Sequence, residues 1–185
     1  ISIVKKKKIK SKLVKIKKSN HHSLIKKIKN RYFKSEGNIE NMIFAYKIAK
    51  NLKIKDQVII KALNRFRGLP HRQEVIFSNE KILCVNDSKA TSFDAALQSL
   101  SNYEQIYWIV GGLPKKRDHF YLRRVKNRVV KAYIIGKNIN FFKKQIKKSI
   151  PFSISKNIKK AINDISKDMK LNNNKKKTIL LSPAA

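Results

Sequence analysis

The stretch Asn86-Asp87-Ser88-Lys89-Ala90-Thr91 packs a carboxylate, an ammonium and two hydroxyls into six positions. It follows the apolar run Ile82-Leu83-Cys84-Val85 and precedes Ser92-Phe93-Asp94-Ala95-Ala96-Leu97, which makes it a polar turn from a strand into a helix. In open α/β sheets ligands gather beyond the carboxyl ends of the strands, and the start of a helix adds unpaired N–H groups that favour anions. Two other polar turns follow apolar runs: Gly111-Gly112-Leu113-Pro114-Lys115 after Ile106 to Val110, and Ser182-Pro183 after Thr178 to Leu181. If those strands are parallel their tips share one edge, and Asp87, Lys89, Thr91, Lys115 and Ser182 face a single crevice. Two lysines and two hydroxyls suit an anionic ligand such as a dicarboxylate or a phosphate, with each Lys acting as a point charge. Asp87 has two readings. It pairs with Lys89 or Arg72, or it accepts hydrogen bonds from a sugar diol. Gly68-Leu69-Pro70-His71-Arg72 adds an arginine immediately after a domain hinge, placed to swing onto a phosphate when the domains close.

The elements that must hold these turns are read from periodicity. Ile39, Met42, Ile43, Tyr46, Ala49 and Leu52 form one helical stripe after Gly37-Asn38. A second helix follows, with Asp56 as its N-cap and Val58, Ile59, Ala62, Leu63 and Phe66 as its apolar face; Gly68 and Pro70 end it. Beyond this boundary, Glu74 to Phe77 and Lys81 to Val85 predict a hairpin. Helices and apolar runs then alternate: a helix to about Asn102, the strand Ile106 to Val110, a helix from about Asp118, the strand Ala132 to Gly136, a helix through Phe141 and Ile146, the strand Phe152 to Ile154, a helix over about 156–170, and the strand Thr178 to Leu181. This order predicts an α/β fold with a doubly wound, mostly parallel, Rossmann-like sheet, preceded by a helical segment. Residues 1–34 alternate loosely between Lys and Ile, Val or Leu, compatible with exposed strands or a basic amphipathic helix. His21-His22 lacks partners at ligand spacing and is expected in a solvated loop rather than at a metal.

The charge is extreme, with 45 Lys plus Arg against 11 Asp plus Glu, or +34. Such an excess points to a polyanion, and a basic nucleic-acid-binding α/β protein is the rival reading. The excess is mostly Lys, runs along the whole chain and accompanies abundant Ile and Asn, which share A/T-rich codons. No Arg stripe with interleaved aromatics occurs, so compositional drift is favoured and nucleic acid is expected to bind only nonspecifically. One cysteine, Cys84, rules out an internal disulfide and makes the cytoplasm the default expectation. No apolar run approaches the ~20 residues of a membrane span.

Taken together, the residues resemble the Mur ligases, and among them the branch that adds D-glutamate. The resemblance rests on Gly37-Asn38-Ile39-Glu40-Asn41, Phe66-Arg67-Gly68-Leu69-Pro70-His71-Arg72, Asn86 through Thr91, Gly111-Gly112 with Lys115, and Leu180-Leu181-Ser182-Pro183-Ala184. Sister branches carry an Asp-Tyr-Ala-His type sequence where this chain has Asn-Asp-Ser-Lys-Ala-Thr. The resemblance implies an ATP- and Mg²⁺-dependent amide-bond former of peptidoglycan synthesis. ATP would phosphorylate the carboxylate of UDP-N-acetylmuramoyl-L-alanine, and the amine of D-glutamate would attack the acyl phosphate. It further implies that Lys89, Thr91, Lys115 and Ser182 hold D-glutamate, and that Asn38, Asn41, Arg72 and Asp87 contact the nucleotide, Asp87 on its ribose. His71 matches a motif position but receives no step. Residues 1–67 then correspond to the end of a central ATP-binding domain, 68–72 to a hinge, and 73–185 to a truncated D-glutamate-binding domain. The family's Gly-x-x-Gly-Lys-Ser/Thr phosphate loop, its Mg²⁺ ligands and its modified lysine are missing here. Gly37 stands where a His is common, and residues 1–34 match poorly. The sequence therefore reads as a fragment that is inactive alone.

Overall fold

A computed structural model describes residues 15–115, 118–170 and 175–185. The chain divides into two compact units, the first ending at Phe66 and the second beginning at Arg67.

The first unit is helical. A 3₁₀ turn, Lys18–His21, leads into α1, His22–Lys27, and a second 3₁₀ turn, Arg31–Lys34, leads into α2, Glu36–Asn51, and α3, Asp56–Arg65. Residues 1–14, part of the stretch expected as exposed strand or amphipathic helix, lie outside the described residues. Ser35 caps α2, its Oγ accepting from Asn38 N at 3.3 Å, and so satisfies one of the orphan donors of the first turn. Met42 and Ile43 are buried with Leu24 and Phe33 in a small core. Leu52, expected on that apolar stripe, is 70% exposed, because it caps α2 instead of continuing it. Asp56 is not the N-cap of α3. Lys55 holds that position without a side-chain bond, and Asp56 instead pairs with Lys50 at 2.8 Å while accepting from the Tyr46 hydroxyl at 3.1 Å. The expectation for His21 also fails. It is buried, donates from Nδ1 to the Lys17 carbonyl at 2.8 Å, and sets its ring edge-on to Tyr46.

The second unit is built on a six-stranded sheet. Its strands are β1, Glu74–Ser78; β2, Ile82–Asn86; β3, Ile106–Val110; β4, Val129–Ile135; β5, Phe152–Lys156; and β6, Lys177–Leu181. Their order is β1-β2-β6-β3-β4-β5, with β1 antiparallel and every other pair parallel. Side chains alternate across the pleat. Ile106, Trp108 and Val110 face α4, Phe93–Asn102, and α5, Ile139–Ile146, through Phe93, Ala96, Leu100, Phe142 and Ile146. Tyr107, Ile109 and Tyr133 face α6, Ile158–Lys170, through Ala161 and Ile165. Helices on both faces of a mostly parallel sheet are the doubly wound arrangement expected from the sequence.

The helix expected from about Asp118 does not form. A single 3₁₀ turn, Leu122–Arg124, stands there, because Phe120, Leu122 and Val125 all enter the core at spacings no α-helical stripe allows. Phe120 stacks on Phe93 at 4.3 Å between ring centroids.

Candidate functional site

The three polar turns meet at one edge of the sheet because of where the last strand goes. β6 lies between β2 and β3, and its Leu181 is in register with both Asn86 and Ile109. The chain leaving β6 then threads between the other two turns. Asp87 N donates to Leu181 O at 2.8 Å, Ser182 N to Ile109 O at 3.2 Å, Gly111 N to Pro183 O at 3.1 Å, and Ala184 N to Ala90 O at 3.0 Å. Trp108, fully buried, donates from Nε1 to the Ser182 carbonyl at 2.8 Å. The turn after β3 needs glycine. A Cβ on Gly111, whose φ is +142°, would fall 2.1 Å from the Ile135 carbonyl oxygen. Asn138 Nδ2 closes the same turn by donating to Gly112 O at 2.7 Å.

Asp87 is the centre of this edge, and it is satisfied from within. Its Oδ2 accepts from Ser99 Oγ at 2.5 Å and from Ser182 Oγ at 3.1 Å, and its Oδ1 accepts from Gln73 N at 3.1 Å. The expected pairing with Lys89 or Arg72 is replaced by two hydroxyls on Oδ2 and a backbone N–H on Oδ1, which leaves Oδ1 with one acceptor position unused. Asp87 is 6% exposed and Ser182 0% exposed. Burial pushes the Asp87 carboxyl above the usual carboxylate range, opposed by Ser99, Ser182, the Gln73 N–H and the charge of Arg72. Tyr103 is pushed up to about 12, first by burial and then by the Asp87 charge. Gln73 holds a left-handed φ of 48°, a costly conformation outside glycine, and its N–H to Asp87 together with the Asn102-to-Gln73 side-chain bond at 2.8 Å offsets that cost.

Around this buried centre the predicted cations are open. Lys89, Thr91, Lys115 and Arg72 are exposed, and among the described residues no side-chain hydrogen bond or ion pair engages them. Lys89 N donates to His71 O at 3.1 Å, tying the β2 turn to the Gly68–Arg72 turn. Asn86 Oδ1 accepts from Ser88 N at 3.1 Å, and its Nδ2 lies 2.9 Å from His71 Nδ1, which is also 3.9 Å from Glu74 Oε2.

Asn38 and Asn41 lie in the first unit, one turn apart on α2. The Asn38 amide donates to Tyr32 O at 2.8 Å, whereas Asn41 is exposed. Among the described residues, no three His, Cys, Asp or Glu side chains converge as metal ligands.

Ser99, Gln73 and Trp108 were not expected here. The one signal for Ser99 is its place on the apolar face of α4, where a hydroxyl between Ala96 and Leu100 needs a partner. Gln73 and Trp108 act through a backbone N–H and an indole N–H that no local pattern distinguishes.

No protein-family model matches the sequence. The UDP-N-acetylmuramoylalanine–D-glutamate ligase of Rickettsia felis is 33% identical over 155 residues, covering 84% of this chain and 34% of that protein. The ligases of the same name from Rickettsia bellii and Rhizobium meliloti are 33% identical over 162 residues and 34% identical over 147, covering 88% and 80% of this chain and 36% and 32% of theirs. The chain thus spans about a third of the length of the curated relatives it matches. The fold is similar to the crystal structure of UDP-N-acetylmuramate-alanine ligase from Thermotoga maritima, with a TM-score of 0.61 at 14% identity over 82% of this chain and 35% of that one. It is also similar to MurF from Acinetobacter baumannii, with a TM-score of 0.58 at 16% identity over 79% of this chain and 34% of the other.

Proposed function

We propose, for a chain that belongs to the Mur ligase family, that its second unit is the D-glutamate-binding part of an ATP-dependent ligase that extends UDP-N-acetylmuramoyl-L-alanine in peptidoglycan synthesis. The observation that carries this is the placing of β6 between β2 and β3, which sets exposed Lys89 and Thr91 and exposed Lys115 in turns at one sheet edge on either side of the Ser182 tip. Two ammonium groups there would neutralise the two carboxylates of D-glutamate, and Thr91 would orient one of them through its hydroxyl. The amino acid would be held with its amine turned to the activated carboxyl group. A carbon–nitrogen bond forms there as phosphate leaves and the amine gives up a proton. Positioning of this kind supplies much of the rate in such displacements.

Asn38, Asn41 and Arg72 are proposed nucleotide contacts, the first two from the end of an ATP-binding domain. Asp87 is the proposed ribose contact, through Oδ1, which holds a single donor. The resemblance implies Mg²⁺, but the described residues present no carboxylate and histidine cluster for it, so no step is derived through a metal.

The test is titration of the isotope-labelled chain with D-glutamate, followed by NMR. Shifts concentrated at Lys89, Thr91 and Lys115, absent with L-glutamate, are expected. Lys89→Ala or Lys115→Ala should weaken binding by about tenfold, ~1.4 kcal/mol for one charge-assisted contact. D-glutamate shifts elsewhere in the second unit, or none at all, would overturn the assignment.

A further inference from the structure

We infer that Ser99 is a positioning residue for the proposed D-glutamate site: it keeps the Asp87 carboxylate satisfied, so that the Ser182 hydroxyl can leave Asp87 and donate to a ligand carboxylate. The inference rests on the reading of this edge as a D-glutamate site and adds a residue to it.

An ionised carboxylate only accepts, so the Ser182 hydroxyl proton is directed at Asp87 and is not free for a ligand while that bond lasts. To bind a carboxylate, Ser182 must exchange one acceptor for another. The exchange is costly if it strips a buried carboxylate of its donors. The geometry lowers that cost, because Asp87 keeps two other donors when Ser182 leaves it. Ser99 holds Oδ2 at 2.5 Å and Ser182 at 3.1 Å, while Oδ1 keeps the Gln73 N–H. Ser99 and Ser182 are both fully buried, but Ser99 lies within α4 whereas Ser182 lies in the turn at the tip of β6, between the turns that carry Lys89 and Lys115. The backbone of Ser182 stays fixed meanwhile by Ile109 O, and its carbonyl by Trp108 Nε1, so the exchange is confined to the side chain. The charged group acting on Asp87 is Arg72, and the Asp87 charge in turn acts on Tyr103.

The experiment uses the whole chain in two measurements. First, without ligand, the Asp87 side-chain carboxyl is titrated by carbon NMR in wild type, Ser99→Ala and Ser99→Thr. Losing the Ser99 donor should raise the Asp87 midpoint by about one pH unit, and Ser99→Thr, which restores a hydroxyl, should return it. Second, D-glutamate is added. Ser99→Ala should bind it about fivefold more weakly, because Asp87 then holds Ser182 more tightly, and Ser99→Thr should approach wild type. If Ser99→Ala does not fold, Ser99→Cys keeps the volume with a weaker donor and should move both readings in the same directions. An unmoved Asp87 midpoint overturns the inference whatever D-glutamate does. A moved midpoint with D-glutamate affinity unchanged also overturns it, leaving the ligand site standing. A moved midpoint with no D-glutamate binding to wild type at all overturns the ligand reading itself, and Ser99 is then a structural partner of Asp87 only.

Discussion

Asp87 shows how one side chain can carry two conflicting demands. A carboxylate inside a cationic surface reads from sequence as an ion-pair partner or a diol acceptor, yet here it is the knot that joins β2, α4 and the chain after β6. Burial raises its pKa, so the folded chain binds its proton more tightly than the unfolded chain does. Its contribution to stability is therefore fully present below the unfolded value of about 3.9 and is lost as pH rises through the raised folded value. Asp87→Asn removes that titration. Urea unfolding of both proteins across the acid range should show wild type losing stability relative to the variant as pH rises through the Asp87 midpoint. A difference that is flat with pH would mean that Asp87 has an ordinary pKa. Asp164 and Asp168 titrate in the opposite sense, Asp164 held low by Ser155 and Lys160, and Asp168 by Lys131 and Tyr133 against its burial. They are common to both proteins and cancel in the difference.

Among the elements, the turn after β3 is the least tolerant. Gly111 packs against the Ile135 carbonyl at the end of β4, with no space for a methyl group and a φ that other residues rarely adopt. Gly111→Ala should destabilise the second unit by about 3 kcal/mol, read as a fall in the urea midpoint, since either the β3 turn or the β4 end must shift. A change of a few tenths would show that the turn relaxes freely. The apolar runs of β2, β3, β4 and β6 were legible because strands buried on both faces are nearly continuous in hydrophobic residues. The missing helix after Asp118 was misread from its apolar composition, since Phe120, Leu122 and Val125 all enter one core without forming a single helical stripe. His21 was misjudged for a related reason. Its burial depends on Tyr46, twenty-five positions away, and on the carbonyl of Lys17.

For the whole molecule, charge and coverage set the expectations. An excess of +34 predicts weak, steeply salt-dependent attraction to any polyanion, which says nothing about the amino-acid site. The proposed ligase chemistry needs a phosphate loop of the Gly-x-x-Gly-Lys-Ser/Thr kind, and none occurs in these 185 residues. The purified chain with ATP, Mg²⁺, UDP-N-acetylmuramoyl-L-alanine and D-glutamate should release no phosphate above background, and sustained turnover would show that the chain has an activating site of its own. What the amino-acid order determined by itself was local and periodic: the alternation of strand and helix, the polar turns that end three strands, and the motifs of a Mur ligase. What only tertiary structure decided was which strand tips become neighbours and which hydroxyls turn inward. The last strand slips between the second and third, bringing Ser182 to Asp87 across 95 positions, and Ser99 reaches the same carboxylate from a helix. Side-chain spacing along a chain sets the face a residue occupies, but a hydrogen bond between distant segments depends on the sheet order, and no single stretch of sequence encodes that order.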